Sequence, residues 1–485
     1  MAGVIRAVSI LCLVLALAIA PSAITQIRSI EAASPTAPTG LRVAGARLVD
    51  GHGDAVVLHG VDISGTEFAC AQGGTPGHRG WSIFGGQPED TPATIAAIQS
   101  WHVNAVRVPL NEDCWLGLNG IDPAFGGQSY RSAIGKFVTD LVEAGKYVIV
   151  DLHWNAPGDA IALSQQPMAD ADHASAFWSS VARFFAGNTN VLFDLYNEPF
   201  LYGTYFAMAH QDAWSCWLNG CSLNQFLTGG HPYTQRYGWQ TAGMQQLVNT
   251  VRSAGASNVL IANGLNWAND DSGWMAHQPN DPLANLVAGW HEYEGEQCAA
   301  VACWSQTIAP IARKVPVIVG ETGDNAGSGC HLANLPALVQ WADSHAVSYV
   351  AWTFNPWGYT HDVLITDWKG TPSACEGRYY ADHLAVLAAN PGLVASQPAP
   401  DQSAVASDAN GVLRVVYIVM LLFGVAILAY GLALATNIKA WQRGFPFSKM
   451  HSRRRHVPGV AIVACGAIVC LFAILLIYKS QFSMR

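Results

Sequence analysis

Beyond position 412 the sequence contains no aspartate or glutamate, although nine lysines and arginines stand there. Two apolar runs, 412–436 and 457–478, lie in that acid-free stretch, and Arg414 near one edge is their only charge. Each is long enough to cross a hydrocarbon layer, which takes about 20 apolar residues. With no charged residue deep inside either run, a transporter pathway is disfavoured and an anchor is the better reading. The intervening loop, 437–456, carries Lys439, Arg443, Lys449, Arg453, Arg454 and Arg455 and no acid, which predicts a cytoplasmic loop and places the preceding chain outside.

A basic surface is missing from the rest of the chain. The net charge is −9 overall, and since the residues after 412 contribute +9, residues 1–411 carry −18. Without a basic stripe to neutralise phosphates, a nucleic-acid partner is excluded. No CxxC or HExxH spacing occurs, so no zinc centre is predicted. No repeat of 20 to 50 residues is visible, which disfavours solenoids and propellers. The first strand-like run ends in His59-Gly60-Val61-Asp62 rather than GxGxxG, so a doubly wound dinucleotide fold is only the runner-up architecture.

What is present begins with an export signal. Arg6 precedes an apolar stretch, 7–20, of signal-peptide length, and Pro21 directly after Ala18-Ile19-Ala20 leaves a cleaved signal and an uncleaved anchor equally open. The reading of the chain is a signal segment over 1–30, a linker over 31–45 and one domain over 46–395. A second linker over 396–411 then leads to membrane helices at 412–436 and 457–478. Of eleven cysteines, Cys12, Cys465 and Cys470 fall in hydrophobic segments. The other eight lie in the exported part, where an even count predicts disulfides. Cys216 with Cys221 and Cys298 with Cys303 are the pairs expected from their closeness.

Inside the domain, β-branched or apolar runs recur at 56–61, 104–108, 147–152, 191–196, 258–262, 286–290, 315–320 and 348–354. Eight such runs, each followed by room for a helix, predict a closed (β/α)8 barrel, a TIM barrel of the α/β class. In such a barrel the residues just past the strands form the functional rim. Here they are Asp62, Arg107, His153, Trp154, Asn197, Glu198, Asn263, His291, Tyr293, Glu321 and Trp352. A rim of two carboxylates, histidines, an arginine and aromatics suits a polar, neutral, ring-shaped substrate.

The sharpest local signal is Phe193-Asp194-Leu195-Tyr196-Asn197-Glu198-Pro199, paired with Val317-Ile318-Val319-Gly320-Glu321. These segments and the order of the strand ends resemble glycoside hydrolase family 5, the cellulase family, across nearly the whole exported domain. The resemblance implies retaining hydrolysis of β-glycosidic bonds, with Glu198 as acid/base, Glu321 as nucleophile and no cofactor. It also implies that Asn197 meets the sugar 2-hydroxyl, that Arg107 orients the nucleophile, and that Trp352 floors the reacting sugar. His153, His291 and Tyr293 match the family's remaining substrate-binding positions. The expected partner is a β-linked polysaccharide or oligosaccharide, β-1,4-glucan first and β-mannan second.

Retention needs a carboxylic acid and a carboxylate about 5 to 5.5 Å apart. Arg107 favours an ionised nucleophile, and repulsion from Glu321 is expected to keep Glu198 protonated. Trp81, Trp115, Trp154, Trp267 and Trp357 are candidates for further sugar contacts, although core packing is the commoner role of tryptophan. Glu67, Glu112, Asp113, Glu292 and Glu294 read as loop charges, and Asp151 and Asp194 as groups pointing into the barrel. A non-catalytic glycan-binding or polysaccharide-assembly protein is the competing class, and it predicts damage to the catalytic pair, which is intact here.

Overall fold

The computed structural model describes residues 37–202, 208–228, 231–324, 330, 332–357 and 363–394. The expected signal segment, 1–30, and the runs 412–436 and 457–478 lie outside the described residues. No helix among the described residues is long and apolar enough to cross a membrane.

Eight parallel strands close into a barrel: β1 His59–Asp62, β2 Ala105–Asn111, β3 Tyr147–Trp154, β4 Val191–Asp194, β5 Leu260–Asn263, β6 Leu286–Tyr293, β7 Val317–Gly323 and β8 Ser348–Ala351. Each pairs with its sequence neighbours, and β8 pairs with β1 through Tyr349↔His59 and Ala351↔Val61. All eight expected runs form barrel strands, with ends shifted by up to a few residues. Their nearly unbroken apolarity follows from parallel strands being covered on both faces, and every residue of β2 is buried.

Helices α1 (Pro92–Ser100), α2 (Gln128–Glu143), α3 (Ala174–Phe185), α4 (Met244–Ser253), α5 (Leu335–His345) and α6 (Glu376–Ala389) pack outside the barrel. The α3 and α4 stripes show why: Phe177, Trp178, Val181, Ala182 and Phe185 are buried on one, and Leu247, Val248 and Val251 on the other, at helical spacing. The barrel's lower interior is a separate apolar layer in which Ile149, Leu192, Ile261, Val287, Ile318 and Val350 meet Leu41 and Leu48.

That contact corrects one boundary. Residues 41–44, expected within a linker ending at 45, form the strand Leu41–Ala44, antiparallel to Arg47–Asp50. Leu41 and Leu48 are the apolar groups that plug the barrel's floor, so the folded domain begins before residue 46. Among the described residues four disulfides are present, Cys70–Cys114, Cys216–Cys221, Cys298–Cys303 and Cys330–Cys375, and two of them are the pairs expected from the sequence.

Candidate active site

The site is built around Arg107, which projects from β2 into the barrel and is fully buried. Its Nη1 donates to Glu321 Oε1 at 2.7 Å and Asp62 Oδ1 at 3.1 Å. Nη2 donates to Asn197 Oδ1 at 2.6 Å and to Asp194 Oδ2 at 3.0 Å, and Nε reaches the same Asp194 oxygen at 3.2 Å. Asp151 Oδ2 is 3.3 Å from Nη2. One guanidinium thus holds carboxylates from β1, β3, β4 and β7, which explains why the planar fork of arginine is needed here. Burial opposes the Arg107 charge, but the surrounding carboxylates, Asp151 foremost, raise its pKa well above the ordinary value. Burial lifts Asp194 to about 7 and raises Asp62 as well, with Arg107 pulling both the other way. Asp151 and Asp194 do point into the barrel, as expected, and their task is to anchor this arginine.

Glu321 stands on β7 with both oxygens occupied, Oε1 by Arg107 and Oε2 by the Tyr293 hydroxyl at 3.0 Å. Glu198, partly exposed just past β4, accepts from Gln165 Nε2 at 2.8 Å on Oε2, while its Oε1 lies 2.9 Å from His291 Nδ1. Carboxylate oxygens of Glu198 and Glu321 and a ring nitrogen of His291 all fall within 4.8 Å of one another. This spacing fits the close carboxyl pair of a retaining glycosidase and is short of the 6.5 to 9.5 Å needed to seat a water between the groups.

Burial raises the Glu198 pKa, with Gln165 opposing. The expected cause, repulsion from Glu321, is therefore not the leading one. His291 is pushed down to about 3, chiefly by burial, so it meets Glu198 as a neutral imidazole able to share a single proton with the carboxyl. Burial also opposes a charge on His153, but Asp151, 2.8 Å from its Nδ1, lifts it to about 9. The His153 ring stacks on Trp352 with centroids 5.8 Å apart and planes 14° apart, which backs the tryptophan with a cationic face.

All eight residues named from the sequence, Glu198, Glu321, Arg107, His153, Asn197, His291, Tyr293 and Trp352, come together at the strand ends. Gln165 was not among them. Its Oε1 accepts from Asn197 Nδ2 at 2.6 Å while its amide nitrogen donates to Glu198, so Arg107, Asn197, Gln165 and Glu198 form one hydrogen-bonded chain. Nothing in Ser164-Gln165-Gln166 marks it, because its role depends on how the loop between β3 and α3 returns to the rim.

The tryptophan candidates divide. Trp115 is fully buried and donates to Ser180 Oγ, a packing role. Trp357 lies 6.4 Å from Trp352, and Trp267 stacks on Phe200 at 4.0 Å and 5° while its backbone N–H donates to Pro199, next to Glu198. Trp154 is 6.3 Å from Phe68, and Trp81 is half exposed. The reading of loop charges is corrected for four of five carboxylates. Glu67, Glu112, Asp113 and Glu292 are buried; Ser64 and the Gly65 N–H hold Glu67, Asn119 and the Ala162 N–H hold Asp113, and Asn334 holds Glu292. Only Glu294 is exposed.

Residues 61–358 match the family described as cellulase (glycosyl hydrolase family 5). Similar curated proteins include a manganese dependent endoglucanase of Phanerodontia chrysosporium, 24% identical over 64% of this chain and 75% of its own length. An endoglucanase of Microbulbifer sp. (strain ALW1) is 23% identical over 66% of this chain and 52% of its length. A mannan endo-1,4-beta-mannosidase of Streptomyces lividans is 24% identical over 65% and 66%. The chain thus spans between half and three quarters of these relatives. A β-glucanase of Saccharophagus degradans, solved with cellotetraose, shares the fold with a TM-score of 0.51 at 19% identity, over 73% of this chain and 95% of that one.

Proposed function

The chain belongs to the cellulase family, glycosyl hydrolase family 5, and from that premise we propose that it cleaves β-1,4-glucan chains by double displacement. The observation that carries the proposal is the close approach of Glu198 and Glu321, with Arg107 and Tyr293 occupying both oxygens of the latter. Glu321 attacks the anomeric carbon as the bond to the leaving oxygen breaks, and Glu198 gives that oxygen its proton. The glycosyl-enzyme is then opened by water whose proton passes to Glu198. Arg107 and Tyr293 hold the attacking carboxylate in one orientation and receive it again when the ester breaks. Asn197, fixed by Arg107 and Gln165, is the group for the sugar 2-hydroxyl, and Trp352 is the stacking floor.

The endoglucanase names of several relatives favour glucan, and the mannosidase among them makes β-1,4-mannan the second reading. Either substrate is a neutral polymer, in keeping with the acidic balance of residues 1–411. The export signal and the acid-free apolar runs support a location at the cell membrane with the barrel on the outer side, tethered by 412–436 and 457–478. The test is sugar release by the full chain from β-1,4-glucan and β-mannan, with Glu321→Gln as control. Release from glucan that disappears in the variant is expected; release from mannan alone moves the substrate to the second reading.

A further inference from the structure

Away from the catalytic pair, a second group of ligating side chains lies behind the rim. Glu112 directly follows β2, while Asp170 and His173 lie just before α3 (Ala174–Phe185). Glu112 is wholly buried and faces Asp170 closely enough for the two carboxyls to share a proton, and neither of its oxygens has any other hydrogen-bond partner. Asp170, also wholly buried, accepts from the His173 N–H at 2.8 Å and from Asn155 Nδ2 at 2.9 Å. His173 Nδ1 points between the two carboxylates, 3.9 Å from Glu112 Oε2 and 3.7 Å from Asp170 Oδ1, with no hydrogen-bond partner of its own. One donor atom from each residue lies within 4.8 Å of the others.

The two separations from His173 Nδ1 are too long for hydrogen bonds. They are the separations of ligands around one ion, because a cation 2.0 to 2.6 Å from each donor sets neighbouring donors about 3 Å apart and opposed donors about 4 to 5 Å apart. The ion pairs of the described residues bring no lysine or arginine to this cluster, and a buried carboxylate with neither donor nor counter-charge is strongly disfavoured. A proton shared between Glu112 and Asp170 would relieve that pair but would leave the inward-facing imidazole nitrogen without a role. We infer that Glu112, Asp170 and His173 form a binding site for one divalent metal ion. The mixed carboxylate and imidazole donors suit Mn²⁺ or Zn²⁺ better than Mg²⁺. His173 is one-fifth exposed and supplies the entry side.

Such an ion would staple the end of β2 to the loop that carries Gln165. Asn155 extends the link, since it donates to Asp170 and accepts from the Tyr196 hydroxyl at 2.9 Å, two residues before Glu198. The site stands whichever glycan is cleaved.

The full chain, stripped with a chelator and dialysed against Mn²⁺ or Zn²⁺, should retain one equivalent and melt at a higher temperature than the stripped protein. His173→Ala, a change at a partly exposed position, should fold and bind at least about ten-fold more weakly. Glu112→Gln should abolish retention, whereas Asp159→Asn on the same loop and Glu321→Gln in the catalytic pair should keep it. Identical melting of stripped and loaded protein with no retained metal would overturn the inference in favour of a shared proton. Retention that survives His173→Ala and Glu112→Gln but is lost in Glu321→Gln would overturn it in favour of a metal at the catalytic carboxylates.

Discussion

Replacing Arg107 by lysine keeps the charge and removes the fork, and the structure sets the size of the effect. Arginine donates five hydrogen bonds here, two to Asp194 and one each to Asp62, Glu321 and Asn197. An ammonium has three donors, so at least two buried charge-assisted bonds are lost, at about 1.5 to 3 kcal/mol each. The expected loss is about 3 to 6 kcal/mol, a large share of the roughly 5 to 15 kcal/mol that stabilises a typical domain. Urea unfolding followed by tryptophan fluorescence measures it. The penalty should also depend on pH in a fixed sense. Asp62 and Asp194 already have folded-state pKa values above the ordinary one, and losing donors raises them further. A carboxyl raised in the folded state weakens the fold at high pH and ceases to do so as acidification protonates it. Arg107→Lys should therefore be more damaging at pH 8 than at pH 5. A loss below about 1 kcal/mol, or one that grows on acidification, would refute the account of Arg107 as the buried hub, since the hub requires bonds of that strength.

Further expectations test separate parts of the structure. Gln165→Leu removes a donor from the charged form of Glu198, so the alkaline limb of the pH–rate profile should move to higher pH. The rate at the optimum should fall about ten-fold, the equivalent of one hydrogen bond; an unmoved limb would separate Gln165 from Glu198. Ala346 ends α5 with φ of +51°, a left-handed cap that glycine occupies without strain, so Ala346→Gly should raise stability by about 1 kcal/mol in the same urea assay. Replacing Cys70 and Cys114 by alanine opens a bridge between residues 44 apart and should cost about 2 to 5 kcal/mol. Calorimetry of the double variant checks that value, and an unchanged melting temperature would count against a formed bridge.

The barrel is legible in the sequence because burial on both faces turns each parallel strand into an apolar run, and because polar residues gather where those runs end. Asn197-Glu198 and Glu321 stand out against their strands for that reason. Gln165 is invisible since glutamine on a loop carries no signal until the loop's path is known. Glu112, Asp113 and Glu292 resemble surface charges, and what buries them is distant: Asn334 for Glu292, the Ala162 N–H for Asp113, and the cluster with Asp170 and His173 for Glu112. The strand Leu41–Ala44 is hidden by its shortness and its proline- and glycine-containing approach, although Leu41 fills the barrel's floor. Trp115, placed in the sequence like a rim aromatic, packs against Phe177 and Phe185 instead.

The central claim is that Glu321 attacks the sugar and Glu198 serves as acid and then base. The stereochemistry of the first sugar released from β-1,4-linked oligosaccharides, followed by proton NMR before mutarotation, tests it most directly. The account predicts a β-configured product from the wild-type chain and no product from Glu321→Gln. An α-configured product, or an active Glu321→Gln variant, would contradict it.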